Sequence, residues 1–123
     1  MIETPGHTKG SICLLDSGRK LLFTGDDNNT LVWLFLDHCL PLETYLETLR
    51  SLQLRAGQFD ILLPGHGEPL DNTFIDEQIA CAESILKGTC KGEPYRSFAG
   101  EALLCFHKRA GIAFNPANLR VKP

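Results

Sequence analysis

The tripeptide Pro-Gly-His occurs twice in this chain, as Pro5-Gly6-His7 and as Pro64-Gly65-His66. Each copy sets a histidine just after a rigid turn beside a strand-like apolar run. Between the two copies, Gly25-Asp26 follows the end of another such run. Two neutral imidazoles and a carboxylate are good ligands for zinc or a similar divalent metal. Glycine beside each candidate ligand permits positive φ and close approach of the backbone. A fold that uses all three as ligands must bring three strand-end loops to one place, and that requirement constrains it more than any other feature.

The rest of the pattern is that of an α/β chain. Residues 11–16 and 20–24 are short apolar runs separated by Asp16-Ser17-Gly18-Arg19, which predicts a β-hairpin. Pairing about Ser17-Gly18 sets Ser11 opposite Thr24 and brings His7 near the loop that begins at Asp26. Residues 25–30 are too polar and too rich in glycine and asparagine for anything but a loop. Residues 31–36 suit a short strand or a buried loop. Pro41 suits the first position of a helix whose apolar stripe is Leu42, Tyr45, Leu46, Leu49 and Leu52. Residues 59–63 read as a buried strand. Asn72 is a candidate N-cap for a second helix with a stripe at Ile75, Ile79, Ala82, Ile85 and Leu86, stopped at Gly88. A loop is expected over 89–97, with terminal strands over 103–106 and 111–114; the first of these could also extend a helix. No internal boundary interrupts this order, so residues 1–123 are expected to form a single domain.

Composition narrows the function classes. The formal charge is −3, with 12 basic and 15 acidic residues in 123, which leaves no electrostatic footprint for nucleic acid or an anionic membrane. The apolar run over 31–36 is far too short to span a bilayer. The opening residues lack the pattern of a secretory leader. The five cysteines are odd in number and contain no CxxC pair, so neither a disulfide framework nor a cysteine-zinc site is expected, and a cytoplasmic setting is. Cys13 and Cys105 read as core residues and Cys90 as a loop thiol. His38 and Cys39 are adjacent, so their side chains should diverge and serve structure. Trp33, Phe35 and Leu36 are read as core packing, with a pocket wall as the alternative.

The segments Thr4-Pro5-Gly6-His7-Thr8-Lys9-Gly10-Ser11, Leu22-Phe23-Thr24-Gly25-Asp26 and Leu63-Pro64-Gly65-His66-Gly67 together resemble three consecutive motifs of the metallo-β-lactamase-fold hydrolases. The flavour is similar to glyoxalase II-like thioesterases. The helix after Pro41 and the segment Gly111-Ile112-Ala113-Phe114-Asn115-Pro116 share the resemblance. It implies the second half of an αβ/βα sandwich, a mixed sheet with helices packed on one face. It assigns His7 to the first metal position, Asp26 to the carboxylate bridging two metals, and His66 to the second metal position. The implied cofactor is zinc, or iron or manganese. The implied activity is attack on an ester-, thioester- or phosphodiester-like bond by metal-bound hydroxide.

The HxHxDH motif that precedes these three in the family does not occur here. The remaining ligands describe half of a two-metal site. Small-molecule hydrolysis then requires a complementing N-terminal half. An isolated half would expose an apolar sheet face, so a homo-oligomer or a hetero-complex is expected. Two other readings stay open: a non-catalytic interaction or assembly module, and a mononuclear metal-binding domain.

Overall fold

The computed structural model describes residues 1–26, 29–65 and 67–121. Its strands are β1 (Ile2–Glu3), β2 (Ile12–Asp16), β3 (Leu21–Gly25), β4 (Leu31–Leu34), β5 (Ile61–Pro64), β6 (Leu70–Asp71), β7 (Glu93–Ser97), β8 (Gly100–His107) and β9 (Ala110–Phe114). Two helices, α1 (Leu42–Leu54) and α2 (Phe74–Lys87), complete the α/β architecture, with a 3-10 turn at Ala56–Gln58. The strands divide between two mixed sheets, ordered β1-β2-β3-β5-β6 and β4-β9-β8-β7.

The anticipated hairpin is β2–β3, in a shifted register. Asp16 faces Leu21 rather than Arg19, and Leu15 faces Leu22. The connection is a longer turn whose left-handed residue is Lys20, at φ 56°, not Gly18. Asp16 Oδ1 accepts the Arg19 amide at 3.2 Å inside that turn. The shift is even, so the side-chain alternation of both strands keeps its faces. Cys13 and Leu22 therefore point into the core, while Ile12, Leu14 and Phe23 point outward and are exposed.

Both helices carry the expected stripes. Leu42, Tyr45, Leu49 and Leu52 on α1 are buried, as are Ile75, Ile79, Ala82 and Ile85 on α2. They share one apolar cluster with Leu22 and Leu62 of the first sheet and Val32, Cys105 and Ile112 of the second. α2 begins two residues beyond Asn72. The Asn72 side chain instead donates to the carbonyls of Ala56 and Phe59, at 3.1 and 3.0 Å, and anchors the entry to β5. Gly88 ends α2 in the left-handed conformation, as its position suggested. Residues 93–97, anticipated as loop, form β7 because all five pair with residues 100–104 of β8. Arg109, in the β8–β9 turn, ion-pairs with Asp71 of β6 and Glu77 of α2 and so ties the two sheets together. Hydrogen bonding from Thr73 and Arg109 lowers the Asp71 carboxyl below its ordinary range, and Arg109 does the same for Glu77.

The cysteine expectation is corrected. Cys90 and Cys105 form a disulfide that joins the segment after α2 to β8. An odd count and the lack of CxxC speak only about neighbours in sequence; here the return of β8 beside α2 makes the pair. Such a bond persists in oxidising surroundings, so cysteine usage does not by itself argue for the cytoplasm. Cys13, Cys39 and Cys81 are buried thiols outside the disulfide, and burial pushes the Cys81 thiol up to about 11. Among the described residues, no helix is long and apolar enough to cross a membrane. Denatured protein should show three reactive thiols without reductant and five with it, by a thiol-counting assay. Replacing both Cys90 and Cys105 by alanine should lower unfolding stability by about 3 kcal/mol, the chain-entropy value for a loop of this size.

Candidate functional site

β3 and β5 run parallel, with Phe23 opposite Leu63 and Gly25 opposite Pro64. Their C-terminal ends therefore open on the same edge of the sheet. The register slips between Phe23 and Gly25, a bulge of the kind that re-aims a strand end beside a site. Gly25 takes φ 54° there, and its carbonyl accepts the Gly65 amide at 2.9 Å. Asp26 thus leaves the sheet next to the second Pro-Gly turn. His66 itself lies outside the described residues.

The first Pro-Gly turn is held from three directions. The Thr4 amide donates to the Ser11 carbonyl at 2.9 Å and closes the base of the loop. The Thr48 hydroxyl of α1 donates to the Pro5 carbonyl at 2.6 Å. The Leu40 amide donates to the Gly6 carbonyl at 2.8 Å. Gly6 lies flat against the fully buried Tyr45 ring; a Cβ there would sit 2.5 Å from Tyr45 Cδ1. Glycine is needed at this position because helix and loop touch through it.

His7 emerges from that clamp with its two ring nitrogens in different roles. Nδ1 lies 2.7 Å from the Trp33 carbonyl, which can only accept, so Nδ1 carries the proton and donates. In the neutral imidazole this leaves the lone pair on Nε2, which faces Asp26 Oδ2 at 4.0 Å. A backbone carbonyl that fixes the tautomer and orientation of an imidazole is the usual support for a metal-binding histidine. The 4.0 Å gap exceeds a hydrogen bond; a tetrahedral ion with bonds of about 2.0–2.2 Å would hold the two atoms about 3.4 Å apart. Among the described residues, no group of three His, Cys, Asp or Glu side chains is placed to hold a metal.

The neighbours behave as their chemistry requires. Cys39 is buried and its thiol donates to the same Trp33 carbonyl at 3.5 Å, while His38 is exposed, with its ring edge-on to His7 at 6.1 Å. Burial pushes the Cys39 thiol above its ordinary range. Trp33 corrects the core-packing reading: its ring and Leu36 are half-buried and line a cavity of ≈ 520 Å³ that also reaches His7, Asp26 and Gly67. Asn29, Thr30, Leu31 and Phe98 also line this cavity, and the sequence had not marked them for it. Phe98 stands at the tip of the β7–β8 hairpin, and the only signal for it was a large apolar residue between Ser97 and Gly100, where a turn should be polar.

No protein-family model matches the chain. Human acyl-coenzyme A thioesterase MBLAC2 is 38% identical over 82 residues, which is 64% of this chain and 28% of that protein. The chain thus spans well under a third of the curated relative it matches. Among solved structures, VMB-1 at pH 5.5 aligns with a TM-score of 0.58 and 21% identity, over 70% of this chain and 40% of that one. The DIM-1 metallo-β-lactamase aligns with a TM-score of 0.55 and 20% identity, over 68% and 40%. At these identities the structural likeness speaks for the fold.

Gly6→Ala should lower stability by about 1–3 kcal/mol in denaturant unfolding, because the buried Tyr45 ring has no room to give way. Gly10→Ala is the control, since nothing lies within 4 Å of a Cβ placed there, and it should be close to neutral.

Proposed function

We propose that this chain belongs, over the part of its length that matches, to the metallo-β-lactamase-fold superfamily, and that it supplies half of the site of a metal-dependent hydrolase acting on thioesters. The observation that supports this most is the division of labour on His7, with Nδ1 committed to Trp33 and Nε2 directed to Asp26. His7, Asp26 and His66 are the proposed ligands. Imidazole and carboxylate donors suit zinc first, and iron or manganese next. A divalent metal held there supplies Lewis acidity, lowering the pKa of water and polarising the scissile carbonyl. The chain's own contribution is positioning. The Trp33 carbonyl holds the imidazole in one tautomer, and the bulge at the end of β3 aims the carboxylate. The thioester class follows from the acyl-coenzyme A thioesterase relative. An oxygen ester or a phosphodiester is the competing substrate.

The outer face of the first sheet supports the view that a second half completes the site. Leu14 sits beside Phe23, which sits beside Leu63, and Leu21 sits beside Ile61 in the adjoining row. Leu14 and Phe23 are 50% and 43% exposed, and Ile12 of the same face is 41% exposed. A contiguous apolar sheet face of this kind is a surface for covering. We assign it to the sheet of a complementing half, which would bring the remaining ligands.

Elemental analysis of protein purified without tag or added metal tests the first proposal. Bound divalent metal is expected, with at least a tenfold loss of affinity in His7→Ala, the range for removing a metal ligand or its support. Substoichiometric metal indifferent to that substitution overturns it. For the apolar face, the chain alone should self-associate on sedimentation. Leu14→Lys combined with Phe23→Lys should render it monomeric with unchanged circular dichroism. A parent chain that stays monomeric at high concentration overturns the covering role.

A further inference from the structure

We infer that Trp33, Leu36 and Phe98 form the subsite for the apolar acyl moiety of the substrate, so that this site takes a flexible aliphatic chain in preference to a phosphorylated group. The inference rests on the reading of His7 and Asp26 as the reacting end of the same cavity.

The cavity of ≈ 520 Å³ runs from those two polar residues to an apolar end built by Leu31, Trp33, Leu36 and Phe98. The Trp33 ring is held, not loose. Its indole nitrogen donates to the Tyr95 hydroxyl at 3.2 Å, and its face packs against Phe35 at 5.2 Å between centroids. Phe98 is 97% exposed and yet its ring lies 5.7 Å from that of Trp33. A phenyl ring left in water at a hairpin tip gives up the burial that aromatic residues ordinarily gain. Set beside a half-buried tryptophan at the mouth of a cavity, it recovers that burial when an apolar guest lies against both rings.

Charge points the same way. Among the described lining residues there is no lysine or arginine, and the polar ones beyond His7 and Asp26 are the neutral Asn29 and Thr30. A phosphate at the apolar end of the cavity would meet no lysine or arginine among the described lining residues. An aliphatic chain meets only rings and leucines. Trp33 also couples recognition to chemistry, because the residue whose ring lines the wall is the one whose carbonyl orients His7.

Trp33 is the sole tryptophan of the chain, so its emission reports on this cavity directly. The test titrates the full chain with 1-butanol, 1-hexanol and 1-octanol, and separately with phenyl phosphate. Emission should change saturably with each alcohol, with affinity rising by up to about fourfold per added methylene. Phe98→Ala, checked for folding by circular dichroism, should weaken octanol binding on the order of tenfold, and phenyl phosphate should bind more weakly than hexanol. Affinity that does not depend on chain length, Phe98→Ala binding as tightly as the parent, or phenyl phosphate binding more tightly than hexanol each overturns the inference. Asp26→Asn and His7→Ala should leave the alcohol titration in place. A parent chain whose substoichiometric metal is indifferent to His7→Ala, with the titration intact, removes the hydrolase reading alone, and a flat titration with metal bound removes the subsite alone.

Discussion

Parallel pairing of β3 with β5 requires everything that lies between them. A parallel pair cannot be closed by a tight turn, so the chain must leave the sheet at Gly25 and travel back before Ile61. It does so through β4, which joins the second sheet beside β9, and through α1, which returns across the core. That detour delivers the two parts on which the site depends. β4 carries the Trp33 carbonyl to His7, and α1 carries Tyr45 and Thr48 to the Pro5–Gly6 turn. The same pairing opens the ends of β3 and β5 on one edge, so that Gly25 and Gly65 share a hydrogen bond.

The imidazole of His7 sits where packing and chemistry meet. Its polar contact is to backbone, which cannot be substituted away, and its turn is held by a helix whose apolar stripe is fully buried. Moving the histidine would mean moving α1 against the core. Preorganisation of this kind removes the entropy of ordering a ligand at the moment of binding. The cost falls on Gly6, where no side chain fits.

The inner face of the first sheet shares the buried cluster with both helices, while its other face stays apolar and exposed. Cys13, Leu22 and Leu62 of the inner face lie in the buried cluster with α1 and α2, while the outer row of Leu14, Phe23 and Leu63 has no layer over it among the described residues. A strand with apolar residues on both faces belongs in the middle of a sandwich.

The local rules were legible in the sequence. Helical spacing of leucines and isoleucines gave α1 and α2, Gly88 gave the stop of α2, and the Pro-Gly turns flagged His7 and His66 with Asp26 between them. These signals act over a few residues, where backbone sterics and amphipathic periodicity suffice. What the sequence left open needed contacts between distant segments. The hairpin register turned on which residue of a four-residue turn took positive φ, and that was Lys20. β7 exists because β8 offers it an edge, and Cys90 meets Cys105 because β8 lies beside α2. Trp33 looked like core because composition cannot say which side of a ring faces a void. The motif of two histidines and an aspartate was written in the chain; the carbonyl that aims His7, and the aromatic wall beside it, were decided by tertiary structure, because both depend on strands whose partners lie far away in sequence.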